Sequence, residues 1–329
     1  MAEDTKNQNI GFTPLVNILI LTYNQENYIA EAIESVLMQK TDFSYRIVIA
    51  DDYSTDKTRK ICSDYKLKYP DKIELVFHMQ NLGAVKNFHT AYQYCTAKYL
   101  AMLDGDDYWT SPLKLQKQID FLENNTDFSA CFHQVHYLTL NGNENIIFPQ
   151  NIKKEILEID DIIALPTTGW IIMTSSVIYR KQDLGVLPNW FNKFKLGDWS
   201  LILLSALNGK IFFLNEVLGA YRINAGSLMQ SSALSNIIVI KTLISIFKEF
   251  NKHANYKFKL LIYKQLQYLL FQLLQHYKDK KKWIHYYILT IEYNTYTVRV
   301  NHKKVNNLKD FLLLCFAYIR ILPREVKHN

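Results

Sequence analysis

Apolar residues in the first third of this chain come in short unbroken runs, and each run stops at a cluster of polar or acidic residues. Residues 16–21 (VNILIL) end at Thr22-Tyr23-Asn24, with Glu26 just beyond. Residues 45–50 (YRIVIA) end at Asp51-Asp52, 73–77 form a third run, and 98–103 end at Asp104-Gly105-Asp106-Asp107. Apolar runs of this length, bounded by turn residues, read as buried strands. Between them the apolar spacing changes to that of a helix. Ile29, Ala32, Ile33, Val36 and Leu37 mark a helix over 28–39, and 84–96 reads as another after the turn Asn81-Leu82-Gly83. Ser54 or Thr55 is placed to cap the helix after the second strand, with Asp56 in its first turn, where a negative charge suits the helix dipole.

Strand and helix in alternation predict a parallel sheet with right-handed crossovers and helices on both faces. In such sheets ligands bind beyond the carboxyl ends of the strands. Three strands here end there in Thr22-Tyr23-Asn24, Asp51-Asp52 and Asp104-Gly105-Asp106. Downstream, Pro112 starts a helix over 113–123, 128–140 reads as a strand, and 159–165 as a short helix. Residues 171–179 are mostly apolar around Thr174, Ser175 and Ser176. Gly197-Asp198-Trp199 opens a helix over 200–208 that Gly209 closes, and 211–221 is a strand ending at Arg222. From residue 232 onward long helices are expected, over 235–250, 256–277 and 308–321, and no internal repeat is present.

Composition sharpens this division. The 329 residues are 49% hydrophobic with 22 Tyr and 18 Phe, enough for a large core and two domains. The net charge of +7 is unevenly spread: residues 231–329 hold 17 Lys and Arg against 5 Asp and Glu, so the remainder is acidic. The four cysteines (Cys62, Cys95, Cys131, Cys315) have no metal spacing and read as reduced thiols of a cytoplasmic protein. Residues 1–13 form a polar leader without the apolar core of a signal peptide. No run reaches the roughly 18 apolar residues of a membrane span. Dinucleotide, P-loop, zinc-protease and nucleophile-elbow motifs are absent.

The acids at 104–107 carry the chemistry. Three carboxylates at the end of a buried strand repel one another and lose hydration. A divalent cation shared with a phosphate ligand resolves both problems, and Mn²⁺ or Mg²⁺ is commonly held by one or two carboxylates plus substrate phosphates. Gly105 lets the chain turn without a Cβ. A solvated acidic turn is the plainer reading of the same residues.

Taken together, PLVNILILTYNQENYIAEAIESVLMQ, IVIADDYSTDKT, NLGAVKNF, YLAMLDGDDYW, LGDW and YRINAGS resemble the inverting family 2 glycosyltransferases, in that family's order and over residues 14–227. The resemblance implies a GT-A fold: an α/β, Rossmann-like, mostly parallel sheet flanked by helices, followed by an α-helical C-terminal region. It divides 14–230 into a nucleotide-binding half (14–110) and an acceptor half (111–230), with 231–329 as the basic, aromatic helical region. It implies that Thr22, Tyr23, Asn24 and Glu26 line the nucleotide site. Asp51 would bind the base, Lys86 the nucleotide or its diphosphate, and Asp104 with Gly105 the ribose side. Asp106 would hold the metal, Arg222 and Ser227 the diphosphate, and Asp198 would be the general base. Asn224 stands where many relatives have His. Asn is a poorer metal ligand, which leaves more to Asp106, Arg222 and Ser227.

The implied reaction moves a sugar from a nucleotide donor, UDP or dTDP, to a hydroxyl of a glycan, lipid-linked glycan or protein. The other reading is a non-catalytic sugar-nucleotide-binding or assembly module with the same fold. Asp198 also reads as an ordinary first-turn helix acid. Trp109, Trp170 and Trp199 read as core, with sugar stacking as a further use of the last two. His133 and His136 fall on opposite strand faces, which argues against a shared metal. The basic C-terminal region reads as a helical cap, a homodimer surface, or a peripheral contact with anionic lipid on the inner face of the membrane, with 311–319 (FLLLCFAYI) entering the interface. Lys278–Lys282 reads as a solvated helix end, and no nucleic-acid recognition motif accompanies the charge.

Overall fold

The computed structural model describes residues 13–138, 145–149, 154–168, 172–194, 196–223, 233–279, 290–293, 295, 296 and 300. Its elements alternate as the apolar pattern requires. They run β1 (Val16–Thr22), α1 (Ile29–Leu37), β2 (Tyr45–Asp51), α2 (Thr58–Lys68), β3 (Ile73–Phe77), α3 (Ala84–Tyr92) and β4 (Tyr99–Asp104). Then come β5 (Tyr108–Trp109), α4 (Lys114–Asn124), β6 (Phe128–Leu138), β7 (Asn145–Phe148), β8 (Ile156–Leu157), α5 (Ile159–Thr168), β9 (Ile178–Arg180) and α6 (Lys181–Leu184). The last described are α7 (Gly197–Asn208), β10 (Lys210–Arg222), α8 (Ala233–His253) and α9 (Lys259–Asp279). Contacts divide the chain into two units. The first comprises Met1–Ile156, Ile171–Leu187 and Leu204–Ile223, and the second Leu157–Trp170, Pro188–Leu203 and Asn224–Asn329.

The first unit holds the sheet, in the order β3-β2-β1-β4-β9-β6-β10-β5, with β7 added to β6 and β8 to β10. β3, β2, β1 and β4 are parallel. The short β9 enters antiparallel to both β4 and β6, so the sheet is mixed there, and β6 and β10 are again parallel. Register sets the strand ends level, with Thr22 opposite Asp51 and Leu21 opposite Asp104. β5 pairs antiparallel with β10, Ala220 opposite Tyr108. That pairing brings the end of β10 back to the acidic turn.

Alternate residues of the central strands face a core packed against α1 and α4. Ile18 and Ile20 from β1, Ile47 and Ile49 from β2, and Leu103 from β4 meet Ile29, Ile33, Leu115 and Ile119, all buried. Each such side chain stabilises the fold by about 1.5–3 kcal/mol. Arg180 on β9 is buried too, and it is satisfied. Its guanidinium donates to the Tyr99 hydroxyl (2.9 Å) and to the Leu122 carbonyl (2.6 Å), tying β4, β9 and α4 together.

Two departures from the sequence expectation at helix ends have a local cause. α2 starts at Thr58 without a side-chain cap from Ser54 or Thr55, because both are engaged by Asn24: its N–H donates to the Ser54 hydroxyl (2.8 Å), and its side-chain oxygen accepts from the Thr55 N–H (2.8 Å). α3 ends at Tyr92 because the buried Asn17 side chain accepts the Ala97 N–H (2.7 Å), drawing the chain off the helix toward β4.

The second unit is built around the antiparallel pair α8 and α9, with α5 against α9. Its buried residues include Phe247 and Phe250 on α8 and Leu266, Leu269, Leu270 and Leu273 on α9. Trp199 packs edge-on to Phe247 with ring centroids 6.4 Å apart, so it is core as expected. Among the described residues no helix is long and apolar enough to cross a membrane. Trp170, Cys315, Lys280–Lys282 and the expected helix at 308–321 lie outside the described residues.

Candidate active site

The level ends of β1, β2 and β4 gather most of the residues singled out from the sequence. Asp51 closes β2 and is fully buried. One oxygen, Oδ1, accepts from the Ser54 N–H (3.0 Å) and pairs with the Arg59 guanidinium, which packs 5.0 Å from the Phe77 ring and 5.3 Å from that of Tyr53. The other, Oδ2, has no hydrogen-bond partner among the described residues. A buried carboxylate oxygen left unpaired is costly and calls for a donor. Asp52 differs: its two oxygens accept the N–H groups of Leu82 (2.7 Å) and Gly83 (2.8 Å), ahead of α3. Asp52 is therefore the turn-holding acid, and Asp51 is the one with capacity to spare.

Thr22 closes β1, buried, with its hydroxyl unpartnered among the described residues. Tyr23 is exposed, and Asn24 takes a left-handed φ of 51°. Glu26 accepts the Lys57 N–H (2.9 Å), while its own N–H donates to Asp56 (3.1 Å). Asn24 and Glu26 thus brace the loop between β2 and α2. Lys86 stands exposed in the first turn of α3.

The acidic turn is pinned from two sides. The Gly105 N–H donates to the Leu21 carbonyl (2.8 Å), and a Cβ on Gly105 would lie 2.9 Å from Thr22 Cβ, so only glycine fits there. Asp104 and Asp106 are half-buried. Asp107 is buried, and its carboxylate accepts the Arg222 N–H (2.9 Å). Burial, then the charges of Asp104 and Asp106, pushes the Asp107 carboxyl well above the ordinary carboxylate range. The Arg222 guanidinium donates to the Asp106 carbonyl (2.8 Å) and to the Glu31 carboxylate (2.6 Å), between the rings of Tyr108 and Tyr28. Sequence reasoning missed Glu31, Arg59 and the structural role of Asp107. The one available signal for Arg59 was its place in the first turn of the helix that follows Asp51.

Asp198 lies in the second unit, in the first turn of α7. Burial raises its carboxyl above the ordinary value, opposed by hydrogen bonds from the backbone of Trp199 and of Asp198 itself. Ser227 and Asn224 lie outside the described residues. His133 is buried in β6, and no group of three or more His, Cys, Asp or Glu forms a metal cage among the described residues. The half-buried carboxylates nearest the end of β4 are those of Asp104 and Asp106. Such a pair fits Mg²⁺ or Mn²⁺ completed by substrate phosphates better than zinc or another metal held by a full protein cage. Cys62, Cys95 and Cys131 are free and buried, and burial pushes each thiol up to about 12, so none is a nucleophile.

In sheets of this kind ligands bind beyond the carboxyl ends of the parallel strands, where Asp51 and the acidic turn lie. The family model for glycosyl transferase family 2 matches residues 17–184, just over half the chain, and the chain belongs to that family. Uncharacterized protein Rv1520 of Mycobacterium tuberculosis is 34% identical over 223 residues, 66% of this chain and 61% of its own length. The match thus spans about three-fifths of that relative. TuaG of Bacillus subtilis, provisionally named as a teichuronic acid biosynthesis glycosyltransferase, is 30% identical over 215 residues, covering 65% of this chain and 81% of TuaG. Among solved structures, Staphylococcus aureus TarS 1–349 in complex with UDP-GlcNAc is similar with a TM-score of 0.62 at 18% identity, covering 93% of this chain and 91% of that one. The mannosyltransferase PcManGT of Pyrobaculum calidifontis, in complex with GDP-Man and Mn²⁺, has a TM-score of 0.54 at 15% identity, covering 96% and 89%. These likenesses establish the GT-A fold.

Proposed function

We propose that the chain is a metal-dependent, inverting glycosyltransferase that moves a sugar from a UDP-sugar to a hydroxyl of a glycan, lipid-linked glycan or protein. The observation that carries this reading is Asp51: a buried carboxylate with one oxygen neutralised by Arg59 and the other unpartnered. Such an oxygen accepts the imide N–H of uracil, and a base presenting no N–H there leaves it unpaired at a cost of ~1–3 kcal/mol. Thymine has the same edge, so dTDP is the second donor to test. Residues 14–110 are assigned to the donor and 111–230 to the acceptor side.

Asp106, with Asp104 beside it, would hold Mn²⁺ or Mg²⁺ jointly with the diphosphate; the bound ion supplies charge neutralisation to the leaving nucleotide. Arg222 fixes the turn that presents Asp106, through its bond to the Asp106 carbonyl. Lys86 and Ser227 are assigned to the diphosphate. Asp198 takes the proton from the acceptor hydroxyl as that oxygen attacks the anomeric carbon opposite the departing diphosphate. Its raised carboxyl suits a general base, since a more basic carboxylate takes the proton more readily. One displacement inverts the anomeric centre. The basic balance of residues 231–329 supports a cytoplasmic enzyme at the inner face of the membrane, acting in cell-surface polysaccharide synthesis.

The test is a thermal-shift screen of UDP-, dTDP- and GDP-sugars with Mn²⁺, Mg²⁺ or EDTA, followed by turnover. Ligand binding to the folded state raises its stability by mass action. A metal-dependent shift with a uridine or thymidine donor is expected, absent in Asp106→Ala. Asp198→Asn should keep the shift and lose turnover by at least about 10²-fold. Full turnover by Asp198→Asn removes it as the base, and a guanosine donor alone shifting the protein overturns the choice of a uridine or thymidine donor.

A further inference from the structure

The helical unit carries a cavity of its own, about 450 Å³, lined by the end of α8, the turn after it, the first half of α9 and Lys193 with Phe194. That is the size of a small-molecule site. Asn251 lines it, is 4% exposed, and has a side-chain oxygen with no hydrogen-bond partner among the described residues. A buried amide oxygen in that state needs a donor from outside the described chain. Three cations line the same cavity, Lys193, Lys248 and Lys252. Lys248 pairs with Glu292, and Lys252 with Glu249 (2.9 Å). These five groups sum to one positive charge.

The aromatic wall is also specific. Tyr263 and Tyr296 meet at a ring-centroid distance of 5.3 Å, and Tyr256 is half exposed beside them. Tyr256 has φ 59° and its neighbour Asn255 φ 49°, both left-handed. A bulky residue is disfavoured there, because its Cβ crowds the following carbonyl oxygen. Strain of this kind persists where the surrounding structure enforces it and concentrates at ligand sites. Here the Tyr256 N–H donates to the Asn251 carbonyl (2.8 Å), so the strained residue and the unpartnered amide share one turn.

We propose that this cavity binds a sugar carrying a single anionic group, a carboxylate or a phosphodiester, as part of a glycan. Sugar hydroxyls supply the donor that Asn251 lacks. The C–H face of the ring packs on tyrosine, and the one net positive charge takes one anion. The site is separate in its residues from the donor site and does not depend on the transferase reading.

Saturation-transfer NMR titrations on the full chain test it with methyl β-glucuronide, glycerophosphoinositol and, as the neutral control, methyl β-glucoside. At least one anionic probe should bind about tenfold more tightly than the glucoside. Lys193→Glu, a surface change that leaves packing intact, and Asn251→Leu should each weaken that probe by a similar factor. Asp106→Ala should not affect it. The proposal is overturned if neither anionic probe exceeds the neutral one, if binding survives Lys193→Glu, or if Asp106→Ala abolishes it. Donor-dependent thermal shifts on the same samples report the transferase reading separately.

Discussion

Replacing Gly105 with alanine tests whether the acidic turn is held by close packing. The added Cβ would lie 2.4 Å from the side-chain oxygen of Gln25 and 2.9 Å from both Cβ and Oγ1 of Thr22. Gln25 can yield by rotation. Thr22 Cβ cannot, because β1 is bonded on both sides in the sheet. The turn must therefore move away from β1, lengthening the 2.8 Å bond from Gly105 N–H to Leu21 O. Overpacking by one methyl group costs ~1–3 kcal/mol. For a unit of this size each kcal/mol lowers Tm by about 2–4 °C, so a drop of roughly 2–12 °C is expected. The functional loss should exceed the stability loss. Asp104 and Asp106 flank the displaced atom, and a shift approaching 1 Å at reacting groups costs up to ~10²-fold. The assay is Tm by calorimetry beside kcat/KM with saturating metal. Gly83→Ala is the control: its φ is +83°, but a Cβ there meets nothing within 4 Å, so it strains the backbone without pushing on the acidic turn. Gly105→Ala with unchanged Tm and kcat/KM would refute the reasoning.

Three further outcomes are expected. Glu31→Gln weakens the ion pair with Arg222; the carboxylate is half exposed, so stability falls by no more than about 1 kcal/mol, while kcat/KM drops severalfold as the Asp106 turn loosens, and unchanged steady-state kinetics would show that the Asp106 carbonyl alone holds Arg222. Tyr53→Gly relieves a left-handed φ of 68°, worth about 1–2 kcal/mol against glycine's entropic cost of about 0.5–1, so chemical denaturation should find equal or greater stability together with a raised donor KM; a marked destabilisation contradicts stored strain. Burial, reinforced by Lys114, lowers the His133 imidazole from 6.5 to about 3. The unfolded chain therefore binds a proton below pH 6.5 that the folded chain refuses until about pH 3, so stability falls on acidification through that window, by about 2 kcal/mol at pH 5. His133→Gln should lack this component between pH 7 and 5, as measured by the difference in unfolding free energy.

β1, β2 and β4 were legible because a strand buried on both faces has no choice but a continuous apolar run, and their endings were legible because polar residues resume where the sheet stops. β9 was not legible as a separate strand. Three residues carry no period, and only its two antiparallel neighbours define Ile178–Arg180. The start of α2 was obscured for a different reason. Ser54 and Thr55 are good caps by residue type, but what such a side chain meets depends on a partner about thirty positions away, here Asn24.

The acidic turn shows the same limit within the site itself. Asp104, Asp106 and Asp107 are chemically alike and nearly adjacent in sequence, and all three repel. The tertiary fold separates them. β5 returns antiparallel to β10, the Arg222 N–H is delivered to Asp107, and the third acid becomes a buried structural acceptor. Asp104 and Asp106 remain half-buried at the strand end. Lys114, five residues past Trp109, is sorted by the same packing. Lysine is by type a surface residue, yet here it is wholly buried with its Nζ 3.9 Å from the centroid of the Trp109 ring, and burial drives its pKa well below the usual lysine range. Relative to its unfolded value that depression is a cost below pH 10.5, relieved as pH rises. Trp109 itself is anchored by its indole N–H, which donates to the Ser175 carbonyl (2.9 Å). Residue type identified where charge gathers in this chain. The pairing of β5 with β10 decides which of those acids becomes a buried structural acceptor.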